Sequence, residues 1–192
     1  MKTLSSRLLI ALMAIFMLYS CSEKNDSEQQ KLIVKIGAQS NTSLGAFYSF
    51  DENKVYAQDA ASAAQDKIDV LCFFEGGTND ITLASPGAGI KNIFTGTTSP
   101  DNWSTKLLTY FTDPVGGLTV EQFDQLKEDD AVIESYFDKT KTSGNKKANF
   151  LKAGDTRAFM TQDSTIFGVF KVLSVENSAS GYVEVELKLK QE

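Results

Sequence analysis

Alternating hydrophobic and polar residues are clearest near the C-terminal end of the chain. Four hydrophobic residues alternate there with three charged ones: Val183, Glu184, Val185, Glu186, Leu187, Lys188 and Leu189. A period of two residues is typical of a strand with one buried face and one solvated face. Strands over Arg157–Thr161, Ile166–Val175 and Tyr182–Lys190, with a hairpin turn between the last two, predict a C-terminal antiparallel β-meander.

Hydrophobic residues in the middle of the chain recur at helical spacing. One face of a helix would carry Trp103, Leu107, Tyr110 and Phe111. Ser99 as the N-cap and Pro100 in the first turn suit the start of such a helix. A capping box of Thr119 and Gln122 predicts a second helix, and Asp129 is expected to cap a third.

The N-terminal half combines β-branched segments with an alanine-rich segment. Residues 32–36 and 46–50 suit short strands, and residues 59–65 favour a helix. The apolar segment 68–74 suits a strand that is buried on both faces, as parallel strands are. We therefore predict a βαβ crossover and an α+β fold: a single domain with a mixed β-sheet, central helices and the C-terminal meander.

The first 20 residues have the pattern of an export signal. Lys2 and Arg7 precede an apolar segment, Leu8 to Leu18, which is too short to span a bilayer as a stable helix. The sequence Leu18-Tyr19-Ser20-Cys21 then resembles the bacterial lipoprotein signal, in which the cysteine is acylated and becomes the first residue. This resemblance implies lipidation of Cys21; the alternative is an ordinary cleaved signal peptide.

A polar segment follows the cysteine and divides the chain. We predict a signal peptide over 1–20, a flexible tether over 21–30 and one globular domain over 31–192. The acidic tether resembles the signal that carries Bacteroidota lipoproteins to the outer face of the outer membrane, with these residues in that role: Ser22, Glu23, Asp26 and Glu28. Cell-surface exposure is the expectation, and attachment facing the periplasm is the alternative.

Short motifs across the mature chain resemble those of a group of Bacteroidota lipoproteins of unknown activity. They include Val55-Tyr56-Ala57-Gln58, Ala84-Ser85-Pro86, Leu151-Lys152-Ala153-Gly154-Asp155 and Phe167-Gly168-Val169-Phe170-Lys171-Val172. The resemblance implies an exported single-domain protein and carries no activity with it.

Composition excludes several classes of function. The chain has no histidine, so Ser-His-Asp and Cys-His catalysis and every histidine metal site are ruled out. Loss of residues 1–20 removes two basic residues and leaves 17 of the 19 Lys and Arg against 25 Asp and Glu, a formal charge of −8. Such an acidic protein is unsuited to binding nucleic acid, and its contact with the membrane would depend on the lipid anchor.

With Cys21 acylated, only Cys72 remains, and a thiol in its apolar segment is expected to be buried.

Three residues stand out as candidate sites in the domain. Asp69 lies within the most apolar segment, where a carboxylate needs a partner or a raised pKa, although a position that faces solvent or caps a neighbouring loop would also explain it. Trp103 could stack on a sugar, but its helical spacing favours a place in the core. The sequence Asp163-Ser164-Thr165 resembles the short O-glycosylation motif of Bacteroidota, which would place a glycan on Ser164.

The favoured function is a non-catalytic, lipid-anchored binding or assembly module without cofactor or metal. Its partner would be a glycan or a surface protein. One alternative is a glycan hydrolase, which needs two carboxylates facing one another across a cleft. The other is a structural surface subunit that uses the edge of its C-terminal hairpin for strand addition.

Overall fold

The computed structural model describes residues 31–113, 118–137 and 145–191, and ten strands in this part of the chain form two five-stranded antiparallel sheets. The strands are β1 Leu32–Gly37, β2 Phe47–Ser49, β3 Lys54–Tyr56, β4 Val70–Glu75, β5 Asp80–Ala84, β6 Thr109–Phe111, β7 Lys147–Ala148, β8 Thr156–Thr161, β9 Ile166–Glu176 and β10 Tyr182–Gln191. Sheet I has the order β1-β10-β9-β8-β6, and sheet II has the order β3-β2-β4-β5-β7.

Short helices occupy the connections between the strands. The α-helices are α1 Gln58–Ala63, α2 Val120–Gln125 and α3 Val132–Ser135, and 3-10 turns span Gln65–Lys67, Pro86–Ala88 and Pro100–Asn102. Among the described residues, no helix is long and apolar enough to cross a membrane.

The α+β class and the antiparallel meander of β8, β9 and β10 are confirmed, but the sheets are not mixed. All pairings between the described strands are antiparallel. The unpredicted strand β3 forms a hairpin with β2, and α1 then leads the chain to β4 on the other side of β2. Strands β3 and β4 therefore run in the same direction without pairing, which is why the expected βαβ unit is not formed.

Hydrophobic residues form three clusters, one between the sheets and one on the outer face of each sheet. The largest lies between the sheets and includes Ile36, Val70, Cys72 and Phe170. The outer face of sheet II is covered by α1 and by a segment that holds Phe94 and Trp103. The outer face of sheet I is covered by α2 and α3. As predicted, β4 is buried on both faces, because one lies in the first cluster and the other in the second.

The predicted helix from Ser99 to Phe111 is wrong. Ser99 does cap a turn, since its Oγ accepts a hydrogen bond from Asp101 N, but this 3-10 turn ends at Asn102. The chain then continues in an extended form, and β6 pairs with β8. The helical spacing fails because its residues are buried in different places: Trp103 against sheet II and Phe111 between the sheets.

Of the two predicted helix caps, one is present and the other is not. The capping box of Thr119 and Gln122 is present in both of its hydrogen bonds. Asp129 is not the cap of α3, because the neighbouring Asp130 Oδ1 accepts the bond from Val132 N. Asp129 instead has a positive φ of 60° and donates its N–H to Leu189 O.

The predicted solvated face of β10 is also wrong, because α2 covers it. Glu186 is 2% exposed and lies 3.3 Å from Lys171 Nζ. Lys188 Nζ donates to the carbonyl oxygens of Phe123, at 2.6 Å, and Leu126 at the C-terminal end of α2. A lysine at this end satisfies carbonyls that the helix leaves free. The charged residues of β10 thus hold α2 on the sheet.

The edge of the C-terminal hairpin is not free for strand addition. Strand β10 is paired with β1 on its outer side, and β9 is paired with β8. The hairpin lies inside sheet I, which removes the structural basis of the strand-addition hypothesis.

The centre of the core depends on a glycine. Gly168 in β9 is the cross-strand partner of Phe159 in β8. The Phe159 ring lies over Gly168 and stacks on Phe50, which follows β2, with ring centroids 4.3 Å apart and planes 16° apart. An added Cβ at Gly168 would lie 2.1 Å from the Phe159 ring. The absence of a side chain at Gly168 therefore leaves room for the Phe159 ring, and this ring forms the stacking contact between the two sheets.

We expect Gly168→Ala to lower the free energy of unfolding by about 1–3 kcal/mol, because the Phe159 ring must move out of a packed core. Urea denaturation of the full chain measures this. Gly77→Ala is the matched control, since a Cβ there meets nothing within 4 Å. An equal effect of the two substitutions would contradict this account of the core.

Candidate functional site

A cleft of about 590 Å³ opens at one end of the two sheets. Four segments that are distant in sequence form it: the β2–β3 turn, the residues just before β4, the residues just before β6 and the β8–β9 turn. Its lining residues are Asp51, Asp66, Lys67, Asp69, Leu107, Leu108, Thr161, Gln162, Asp163, Thr165 and Ile166. A cleft of this volume is in the usual range for small-molecule sites.

Asp69 lies buried at the cleft, with only 8% of its surface exposed. Its N–H donates to Tyr48 O at 3.1 Å, and its carbonyl oxygen accepts from Thr109 Oγ1 at 2.9 Å. Its Oδ2 accepts from Phe50 N at 2.8 Å. No described residue donates to Oδ1. One carboxylate oxygen is thus fixed to the core, and the other is left for a ligand or water.

The environment of Asp69 opposes ionisation. Burial raises the pKa of its carboxyl to about 6, and the nearby carboxylates of Asp163 and Asp51 add to the increase. The hydrogen bond from Phe50 N favours the charged form and only partly offsets these effects. Asp69 therefore titrates near neutral pH, which is common for functional carboxylates.

Asp163 lies in the β8–β9 turn, in a different environment. Partial burial raises the pKa of its carboxyl, but hydrogen bonds from Thr161 and Thr165 outweigh it and lower the pKa below its ordinary value. Three donors converge on Oδ1: Thr161 Oγ1 at 2.7 Å, Thr165 Oγ1 at 3.0 Å and Thr165 N at 3.2 Å. The cleft thus holds two carboxyls with pKa values shifted in opposite directions.

Lys67 does not neutralise the cleft, because its Nζ forms an ion pair with Glu52. Glu52 also accepts a hydrogen bond from the Tyr56 hydroxyl. Leu107, Leu108 and Ile166 add apolar surface to the walls, beside the uncharged polar side chains of the β8–β9 turn. The cleft therefore combines acidic groups with apolar walls.

The structure places the predicted site residues in different parts of the molecule. Asp69 is buried at the cleft, and its Oδ2 accepts from Phe50 N at the start of the β2–β3 turn, so it caps a neighbouring loop. Trp103 is only 4% exposed, its ring centroid lies 5.3 Å from that of Phe47, and its Nε1 donates to Thr98 O. Trp103 is therefore a core residue. Cys21 lies outside the described residues, and its acylation stays a prediction.

Ser164 lies in the β8–β9 turn, next to the cleft residue Asp163. It is half-buried, has a positive φ of 61°, and its Oγ lies 3.4 Å from Met160 Sδ. Glycosylation of Ser164 stays a prediction.

Sequence reasoning missed most of the cleft. Asp51 lies in a polar turn that no local pattern distinguishes, and only the glycosylation motif marks Asp163 in the sequence. No local pattern marks Leu107, Leu108 or Thr161, because only the pairing of the strands brings them to Asp69. Within the described residues, no group of three or more His, Cys, Asp or Glu side chains is arranged to hold a metal ion.

Fold and site together define an α+β domain of two packed antiparallel sheets with an acidic cleft at one end. No family model matches the sequence, and no curated protein matches it. The structure is similar to that of a DUF4466 family protein from Parabacteroides merdae ATCC 43184, with a TM-score of 0.54 and 17% sequence identity. The match covers 83% of this chain and 54% of that chain, so this chain spans about half the length of the other protein.

This likeness shows a shared fold. It is consistent with the Bacteroidota protein that the sequence motifs indicate, because Parabacteroides belongs to that group.

We expect Asp69→Asn to raise the free energy of unfolding at pH 7 by about 1–3 kcal/mol, because the ionised carboxylate is buried at a cost and asparagine can still accept the bond from Phe50 N. The pKa of Asp69 is higher in the folded protein, at about 6, than its ordinary value of 3.8. The folded state therefore binds the proton more tightly, and stability falls as pH rises from about 4 to about 6. Urea denaturation across this range should show the fall in the native chain and its loss in the variant.

Asp80→Asn is the matched control. Asp80 is also buried, but its carboxylate accepts from Thr78 Oγ1, Thr82 Oγ1 and Phe150 N. An amide there keeps one acceptor oxygen and replaces charge-assisted hydrogen bonds by neutral ones, so this variant should be less stable than the native chain. Destabilisation by Asp69→Asn at pH 7 would contradict the burial cost assigned to Asp69.

Proposed function

We propose that the protein is a lipid-anchored, non-catalytic binding module of the outer membrane, exposed at the cell surface, and that the Asp69 cleft is its ligand site. The observation that carries the site is the buried Asp69 carboxylate, whose Oδ1 receives no hydrogen bond from the described residues although it lines an open cleft. A carboxylate oxygen that opens onto the cleft and has no donor among the described residues can accept a hydrogen bond from a ligand. No cofactor or metal is part of this proposal.

The anchor is Cys21, and the acidic tether sets the distance from the membrane. The domain itself is acidic, so anionic lipid headgroups and nucleic acid are poor partners for it. The ligand would be part of a glycan or of a surface protein, both of which offer hydroxyl or ammonium donors to carboxylates.

Expression of the full chain in a Bacteroidota host tests the anchor. The native protein should incorporate a labelled fatty acid, sediment with the outer membrane and be cleaved by protease on intact cells. Cys21→Ala should lose the label and leave the membrane, because a signal peptide alone gives no anchor. Cys72→Ala is the matched control and should keep the label, since it leaves residues 1–30 unchanged. Label that persists in Cys21→Ala would overturn the anchor.

A glycan hydrolase is the second candidate, favoured by the opposite pKa shifts of Asp69 and Asp163 within one cleft. A protonated carboxylic acid beside an ionised carboxylate is the arrangement that glycosidases use. In that role Asp69 would protonate the leaving oxygen, and Asp163 would act as base or nucleophile.

Incubation of the full chain with a panel of polysaccharides decides between the two functions. For a hydrolase, we expect release of reducing ends that falls as pH rises above about 6, and a loss of about a hundredfold or more in Asp69→Asn. If the protein is a binding module, no release of reducing ends should depend on Asp69. Activity that persists in both Asp69→Asn and Asp163→Asn would exclude these residues as the catalytic pair.

A further inference from the structure

The charge of the cleft restricts what it can bind. Four carboxylates line it, and its one lysine is paired with Glu52. The acidic residues are Asp51, Asp66, Asp69 and Asp163. An anionic ligand would meet repulsion from all four groups, whereas a cation would be attracted by them.

The carboxylates are too dispersed for a metal ion. No three acidic groups among the residues that the structure describes are arranged to hold one, although four of them share the cleft. A metal ion needs several oxygens within about 2.5 Å of one point. A longer ligand that spreads its positive charge, or places it at one end, fits this arrangement better.

The walls of the cleft favour an aliphatic ligand. Leu107 and Leu108 lie just before β6, and Ile166 begins β9 directly after the turn that holds Asp163. Methylene groups that contact these side chains would be removed from water, which favours binding. No described aromatic residue lines the cleft, so a sugar ring would find no stacking surface there.

We propose that the cleft binds an aliphatic ammonium cation, with its NH₃⁺ group at Asp69 Oδ1 and its methylene chain against Leu107 and Leu108. A di- or polyamine and a lysine side chain share this chemistry. The inference depends on the proposed function, because it requires the Asp69 cleft to be the ligand site. An ammonium supplies three donors, and Asp69 Oδ1 and the exposed carboxylates of the rim supply the acceptors.

Binding should depend on pH through Asp69. Alkylammonium groups stay charged between about pH 5 and pH 8, so a change over this range reports on the protein. Burial raises the pKa of Asp69 to about 6, and hence affinity should fall as pH drops through that value. The charged and titratable groups near Asp69 are Tyr48, Asp51, Asp66, Lys67 and Asp163.

Calorimetric titration of the full chain in neutral detergent tests the proposal. The probes are 1,5-diaminopentane, 1,5-pentanediol as its uncharged analogue, N-acetyl-lysine amide and the trimer of N-acetylglucosamine. The diamine should bind and the diol should not, and affinity for the diamine should fall as salt is raised. Tighter binding of the diamine than of the lysine derivative would identify free polyamines as the source, and the reverse order would identify a protein side chain.

Three variants locate the binding. Asp69→Asn should weaken diamine binding by roughly tenfold or more, and Asp51→Asn should weaken it less, because Asp51 is exposed at the rim. Glu121→Gln removes an exposed acidic residue in α2, outside the cleft, and should leave the affinity unchanged. If Asp69→Asn does not fold, Asp51→Asn and the pH titration of the native chain still decide the question.

The outcomes separate this inference from the proposed function. Binding of the trisaccharide that is lost in Asp69→Asn, without binding of the diamine, would overturn the ammonium ligand and support the cleft as the site. Equal binding of the diamine and the diol, or equal losses in Asp69→Asn and Glu121→Gln, would also overturn it. Absence of binding by every probe would overturn both the ligand and the cleft.

Discussion

The stacking of Phe159 on Phe50 is the contact on which the rest of the structure depends. It joins sheet I to the loop after β2 of sheet II at the centre of the largest hydrophobic cluster. It is made possible by Gly168, because any larger residue there would fill the space of the Phe159 ring. The same Phe50 donates its N–H to Asp69 Oδ2. Core packing therefore fixes one oxygen of the carboxylate at the cleft.

This link explains why a costly residue can be held in place. A buried carboxylate with one free oxygen lowers stability at neutral pH. Three hydrogen bonds position Asp69: its N–H donates to Tyr48 O, its carbonyl oxygen accepts from Thr109 Oγ1, and its Oδ2 accepts from Phe50 N. The protein is therefore less stable than it would be without this carboxylate, but the carboxylate is held in position before a ligand binds, as is common at binding and catalytic sites.

Buried charges also occur on the outer face of sheet I, with a different result. Glu186 and Lys188 are buried under α2, but each has a partner: Lys171 and Lys31 for Glu186, and the carbonyl oxygens at the end of α2 for Lys188. Buried charges with full partners hold structure together, whereas Asp69 keeps an oxygen available. This contrast, rather than burial alone, distinguishes the cleft as a site.

Local patterns in the sequence determined the strands of the meander, the capping box of α2 and the burial of β4, because each depends on residues close together in the chain. They also placed Asp69 in an apolar segment, which is the signal that led to the site. The tertiary structure alone decided that residues 99–111 form no helix, that Lys188 lies under α2 and that β3 prevents a βαβ unit. It alone brought Asp51, Asp69 and Asp163 to one cleft, because contacts between distant strands, which no local period encodes, set those positions.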